Sequence, residues 1–562
     1  MINERVKKIS DFKITATTTF NDVVKNKAET VGDKVFLTFV RDFDKGLDEK
    51  YTYRDIHLYS NKLANGLSKL GLKAGVGLSL MELNSPEFLF TLFATWKLGG
   101  YAVLINTALR GVTLQYIIDH SDTQILIIHW SMIDAFLDIK DDLPKIKHVI
   151  VEMNEAPEDF KLPNGMISFQ ELMQSPDDDI EAEIDFEEKC YLMYTSGTTG
   201  PPKATTFFYK KTLAGNALQT ASGLIRLFLG GKDDVLFTCL PLFHGNALQI
   251  TTIPGYMTET PVVISKRFSA SRHWDICRKY KVTSFNLLGA MPQFLLKQPE
   301  RHNDGENDVR LIVSAACPKE LVIPFEKRFN VKINEFYGAV DGGGYILGPF
   351  FQKNVPVGSM GKALGGTKAG VMDEEGNLLG PEEIGELVFL VNRGELEMRK
   401  VTYYKDETST KDKIREANDG NLWLHTGDLA TMDADGWFYF IDRKKDSIRR
   451  RGENISPWSI ERVINQHEKV LESAAYAVQP EGIVEDEVMV SVVLKPGESM
   501  TPEELLDYCQ GKMAYFMVPR FVNFIDALPK SEVHRTLKQI LKDKGVTETT
   551  YDREAAGYEI KK

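Results

Sequence analysis

Ten consecutive residues, Tyr194-Thr195-Ser196-Gly197-Thr198-Thr199-Gly200-Pro201-Pro202-Lys203, gather three threonines, a serine, two glycines and a lysine directly after the apolar run 191–193. This composition suits the wrapping of a polyphosphate. Glycine lets the backbone come close and adopt positive φ. Successive N–H groups then converge on anionic oxygens, hydroxyls add donors, and the lysine adds a point charge. The spacing is neither the Gly-x-x-x-x-Gly-Lys-Ser/Thr of a P-loop nor the Gly-x-Gly-x-x-Gly of a dinucleotide fold. A flexible linker is the alternative, disfavoured because linkers rarely end in Pro-Pro-Lys after a buried-strand pattern.

Such a loop needs a scaffold, and the flanking sequence supplies one. Leu58, Leu63, Leu67 and Leu70 fall near one face of a helix over 51–70. A short apolar strand follows at 76–81. Asn84-Ser85-Pro86 with Glu87 reads as a helix start. The helix continues over 88–98 and the next strand occupies 101–105. Further strands are expected at 123–129, 148–152, 235–240, 261–265 and 311–314, with a helix over 271–280. Strands alternating with helices of this length imply mainly parallel sheets covered on both faces. The polar stretch 157–183 reads as a surface excursion. From about 385 the pattern changes to short strands split by turns, at 385–390 and 437–441. A basic run (Arg443, Lys444, Lys445, Arg449 to Arg451) then opens a compact αβ pattern ending near Asp526, and the tail from Lys538 reads as helix and then extended chain. The expected domains are 1–442 and 443–562.

A chain of 562 residues is too long for one core. Its 43% hydrophobic and 26% charged residues describe a soluble globular protein. A net charge of −12 argues against nucleic acid as the main partner and against a polybasic membrane anchor. The most hydrophobic region, 88–105, is broken by Lys97, Gly99 and Gly100, so no membrane span is expected. Five scattered cysteines without a Cys-x-x-Cys pair point to a reducing compartment, the cytoplasm. The first residues lack the apolar core of a signal peptide.

Other segments join the loop in one pattern: Pro241-Leu242-Phe243-His244, Tyr337-Gly338-Ala339-Val340-Asp341, Leu424-His425-Thr426-Gly427-Asp428, Asp442-Arg443-Lys444-Lys445-Asp446 and Gly452-Glu453-Asn454-Ile455-Ser456-Pro457. Their order and spacing resemble the AMP-forming acyl-CoA synthetases, the adenylate-forming superfamily, over about residues 50–540. The phrases at 268–274 and Asp552-Arg553-Glu554 look most like the carnitine/crotonobetaine-CoA ligase branch. The resemblance implies an α/β fold: a large N-terminal domain of layered βα sheets with a small β-barrel, then a mobile C-terminal αβ domain. It implies activation of a carboxylic acid by Mg2+-bound ATP through an acyl-adenylate, then thioester formation with CoA, as in fatty-acid metabolism. A homodimer is compatible with it.

Residue by residue, the resemblance assigns Thr195, Ser196, Gly197, Thr198, Thr199, Gly200 and Lys203 to the β- and γ-phosphates, with Thr199 near the metal. Tyr337 would stack on adenine, Asp428 would bind the ribose hydroxyls, and Arg443 would contact ribose or phosphate. Gly338, Ala339, His244, Gly289 and Ala290 would form the acyl pocket; ordinary close packing, and a satisfied core histidine, are the alternatives. Lys445 would be the hinge. Gly452 would line the CoA channel, with Arg451 meeting CoA phosphates or simply solvated.

Two positions depart from the family pattern. Val340-Asp341 replaces a Thr-Glu pair whose glutamate meets Mg2+; Asp341 would reach the metal through water, or is merely a turn residue. Arg535 stands where the family has a lysine bridging substrate carboxylate and α-phosphate. Lys538 lies three residues further on and competes for the role. The rival readings are an adenylating enzyme with an acceptor other than CoA, and a catalytically weak nucleotide- or acyl-binding protein.

Overall fold

The structure, a computed structural model, describes residues 14–195, 201–214, 233–289, 291–315, 317, 319–349, 352–364, 366–443, 448–480, 483, 485–529 and 536–561. Two sheets form the bulk of the N-terminal domain. The first runs, in spatial order, Ile333–Glu335, Leu311–Ala315, Ser284–Leu288, Leu236–Thr238, Val262–Ser265, Val35–Asp42 and Leu47–Thr52, parallel except for the last pair. The second runs Ile167–Ser168, His148–Glu152, Thr123–His129, Gly77–Met81, Tyr101–Leu104, Lys189–Thr195 and Lys203–Phe208, again parallel except for its final pair. Parallel strands need crossovers, and the helices supply them.

Local chemistry sets these elements. Thr52 caps the helix Tyr53–Lys69 and Asp55 returns the bond, a capping box. Ser85 Oγ accepts from Phe88 N at 3.1 Å and Pro86 opens Pro86–Lys97, as the Asn-Ser-Pro signal indicated. All twelve residues of that helix are buried. It packs within the first core, where Phe20, Phe93 and Trp96 meet edge to face or stacked. Among the described residues no helix is long and apolar enough to cross a membrane.

The expected surface excursion at 157–183 holds more structure than its polarity suggested. Ile167–Ser168 extends the second sheet, and Phe169 and Leu172 are buried on it. The small β-unit is antiparallel: Ala369–Met372, Gly385–Val391, Leu422–Met432 and Ile414–Glu416, with Phe438–Arg443 also on the long strand. The C-terminal αβ unit follows. A hairpin, Ile448–Arg450 with Glu453–Ile455, precedes a sheet of Val470–Val478, Glu487–Leu494, Phe521–Phe524 and Tyr551–Asp552. Helices Pro457–Ile464, Pro502–Cys509 and Lys538–Lys544 accompany it.

Candidate active site

Thr195 ends one strand of the second sheet and Lys203 begins the next, and the two are paired across the ladder. Thr195 Oγ1 donates to Lys203 O at 3.3 Å. The intervening Ser196, Gly197, Thr198, Thr199 and Gly200 lie outside the described residues, as do Ala290, Lys445 and Arg535; for Arg443 only the backbone is described. The loop thus departs from and returns to an antiparallel pair, which fixes both its ends. Lys203 Nζ bonds Ser409 Oγ, lies 3.6 Å from Asp406 Oδ2 and sits 5.7 Å from the centre of the Tyr403 ring. Burial opposes ionisation of Asp406, but Ser409 and Lys203 outweigh it and hold its carboxyl below the ordinary value.

Tyr337 and Asp428 come together although 91 residues apart: the Tyr337 hydroxyl donates to Asp428 Oδ2 at 2.6 Å. Both are buried, and Phe389 stacks on Tyr337 with centroids 6.4 Å apart. Burial and the Asp428 charge push the phenol well above its ordinary pKa, so it stays a donor. Asp428 and Arg443 are cross-strand partners, which places the two ribose-assigned positions side by side in backbone register. Asp341, four residues beyond Tyr337, is held by the Tyr403 hydroxyl and by Lys413 Nζ, the latter at 2.8 Å. Among the described residues no group of three His, Cys, Asp or Glu side chains could hold a metal ion.

On the acyl-assigned side, His244 precedes a wide π-helical segment, Asn246–Thr252, a local distortion frequent at functional sites. A Cβ on neighbouring Gly245 would lie 3.4 Å from Val340, so the 244 and 337–341 segments touch. Gly338 is exposed and Ala339 half-buried. Asn286, three residues before Gly289, donates through Nδ2 to Asn246 and Thr251 inside the core.

The C-terminal hairpin closes over this side. His244 Nε2 lies 3.0 Å from Glu453 Oε1. Gly452, at φ +77°, faces Leu288, and the Gly289 Cα side faces Gly452 and Glu485. Glu485 accepts from the backbone N–H groups of Arg451 at 2.6 Å and Gly452 at 3.2 Å. The Arg451 guanidinium lies 5.5 Å from the Tyr515 ring centre. Lys538 is elsewhere: its Nζ is 2.6 Å from Glu461 Oε1, within the C-terminal unit. Glu453, Glu485, Tyr403 and Lys413 were not singled out in the sequence. Glu453 lay inside a quoted motif; the others carry no local signal.

Burial works against the His244 imidazolium and Arg449 repels it, but the charge and hydrogen bond of Glu453 prevail, so His244 titrates above its ordinary value. Burial likewise opposes Glu453, whose pKa His244 nevertheless lowers. The ion pair is therefore complete between about pH 4.3 and about 6.5, the ordinary Glu and His values. It is lost as pH rises through the raised His244 value, or falls through the lowered Glu453 value. We expect the closed domain arrangement to lose about two- to fivefold in population between pH 6 and 8.5, the range for a partly exposed pair. Interdomain energy transfer checks this; His244→Gln should flatten the profile, and an unchanged profile in that variant excludes the pair as its cause.

Comparison with known proteins places the chain in a family. The family model described as AMP-binding enzyme matches residues 24–394, and the AMP-binding enzyme C-terminal domain matches 459–535. A crotonobetaine/carnitine–CoA ligase from Salmonella enteritidis is 27% identical over 524 residues, covering 92% of this chain and 97% of the relative. The o-succinylbenzoate CoA synthetase of Bacillus subtilis, as a double mutant bound to a product analogue, shares the fold at a TM-score of 0.76 and 23% identity, covering 94% of this chain and 99% of that one. The same enzyme with its acyl-adenylate intermediate superposes at 0.62, again 23% identical, covering 93% and 99%.

Proposed function

Because the chain is a member of the AMP-binding enzyme family, we propose that it is an acid–CoA ligase working in two half-reactions, with domains meeting at Asp442–Arg443. In the first, a carboxylate oxygen attacks the α-phosphorus of ATP, which arrives with Mg2+. The Pα–O–Pβ bond breaks, and acyl-adenylate and pyrophosphate result. Lys203 and the loop 195–200 hold the departing phosphates; Tyr337 and Asp428 hold the nucleoside. Phosphoryl chemistry needs positioning and charge neutralisation more than covalent help. In the second, the CoA thiolate attacks the acyl carbonyl and AMP leaves with the C–O bond electrons.

One observation carries the reading: the Gly452–Glu453 turn of the C-terminal unit sits on His244 and Leu288–Gly289, and Gly245, next to His244, lies against Val340, three residues beyond Tyr337. That is the side assigned here to the acyl group, where a thiol must enter. The acid is a carboxylate of a class to be found by trial; the relative named above acts on crotonobetaine and carnitine. The test is pyrophosphate and AMP release over a panel of fatty, aromatic and trimethylammonio acids, with and without CoA. CoA-dependent AMP release supports the ligase. Turnover indifferent to CoA indicates another acceptor, and silence with every acid indicates a binding protein.

Arg535 is our choice for the cation bridging carboxylate and α-phosphate. A guanidinium can pair with both oxygens at once, and Lys538 is engaged by Glu461. Arg535→Ala should slow acyl-adenylate formation by about 100-fold or more, the usual effect of deleting a transition-state charge partner. Lys538→Ala should leave the rate within about threefold, since a partly exposed pair is worth little. Stopped-flow adenylate formation decides, and the reverse order of effects overturns the assignment.

A further inference from the structure

Lys413 immediately precedes the strand Ile414–Glu416, and its carbonyl accepts from His425 N at 2.9 Å, so its backbone is fixed against the long strand that carries Asp428. Its side chain is buried, with Nζ 2.8 Å from Asp341 Oδ2 and 3.4 Å from Thr426 O. The Tyr403 hydroxyl donates to the same Oδ2. That carboxylate oxygen therefore faces an ammonium and a phenol. A divalent cation binding Oδ2 directly would have to displace a buried like charge, and such displacement is unfavourable. Oδ2 of Asp341 therefore does not suit direct metal ligation, the role of the family's glutamate at this place, and the expected contact through water is the one these neighbours leave to it.

The same contacts join the two ends of the nucleotide site. Lys203 lies over the Tyr403 ring, Tyr403 binds Asp341, Asp341 binds Lys413, and Lys413 reaches the carbonyl two residues before Asp428. One cation thus stands at the loop and a second between loop and ribose seat, each steadied by an aspartate: Asp406 for Lys203, Asp341 for Lys413. We propose that Lys413 is a resident nucleotide-binding cation that neutralises phosphate charge at this position, with Asp341 and Tyr403 as its positioning residues. This rests on the nucleotide-site reading above. Lys413 is the point charge suited to a phosphate, and its carboxylate partner keeps the ammonium in place when no nucleotide is bound.

The test is ATP affinity by calorimetry, with excess Mg2+ and with a chelator, alongside thermal melting. Lys413→Gln should weaken metal-free ATP by about tenfold or more, the worth of one charge-assisted bond, and Mg-ATP by less. Lys413→Arg should recover most of the affinity. Asp341→Asn should leave the ratio of Mg-ATP to metal-free affinity within about twofold, because Lys413 and Tyr403 keep a cation from Oδ2. The proposal is overturned if Lys413→Gln lowers the melting temperature while binding metal-free ATP like the parent: the pair is then structural only. It is equally overturned if Asp341→Asn removes a tenfold or larger Mg2+ enhancement. A parent protein without ATP affinity in either condition refutes the nucleotide site itself, and this inference with it.

Discussion

Asp428→Ala should reduce ATP affinity by about 100-fold or more while the protein stays folded. A carboxylate facing a vicinal diol makes two charge-assisted hydrogen bonds, each worth about 1.5–3 kcal/mol. Asp428 is buried on the central strand Leu422–Met432, with its backbone N–H on Thr426 Oγ1 at 3.2 Å, so it is placed before the nucleotide arrives. The substitution also strands the buried Tyr337 hydroxyl, at about 1–3 kcal/mol of stability. Tyr337→Phe separates the two effects, because it deletes the internal bond and keeps the carboxylate. Calorimetric ATP titration with thermal melting makes the measurement. Parent-like affinity in a folded Asp428→Ala protein would remove the ribose role.

Gly452→Val should separate the half-reactions. The residue has φ +77°, a region that costs a branched side chain about 1–2 kcal/mol. A Cβ there already stands 3.5 Å from Leu288, so valine methyls would enter the contact between the hairpin and the acyl-side loop. Glu485 holds the turn by two backbone bonds and limits its retreat. Thioester formation from pre-made acyl-adenylate should fall by about 100-fold, since small misplacements at a reacting centre carry that effect. Pyrophosphate release should stay within about threefold if, as proposed, adenylation uses another domain orientation reached by turning about Lys445. An equal fall in both half-reactions would contradict the assignment of this arrangement to the thioester step.

The elements were more legible than their meetings. Ser85-Pro86-Glu87 announced its helix because caps act within one turn, and the strands at 123–129 and 148–152 announced themselves by apolar runs. The motif residues Tyr337, Asp428 and Arg443 also converge in space. Most of 157–183 is exposed or half-buried as expected, but its strand and short helix were not legible because Ile167, Phe169 and Leu172 are diluted by charged neighbours, and sheet pairing rather than local pattern places the strand and buries Phe169 and Leu172. Lys413 lies 72 residues from Asp341, and His244 lies 209 from Glu453. Such pairings depend on how one strand is registered on another, or on how one domain is seated, and no local spacing encodes either.

The central claim is a sequence of two chemical steps at one site, and acid-dependent exchange of labelled pyrophosphate into ATP tests it most directly. The reaction is run without CoA, then chased with CoA and read by mass spectrometry. The account predicts exchange only when an accepted acid is present, an acyl-adenylate before the chase, and its conversion to acyl-CoA and AMP afterwards. An adenylate that persists unchanged after CoA is added, or thioester formed with no exchange beforehand, would contradict it.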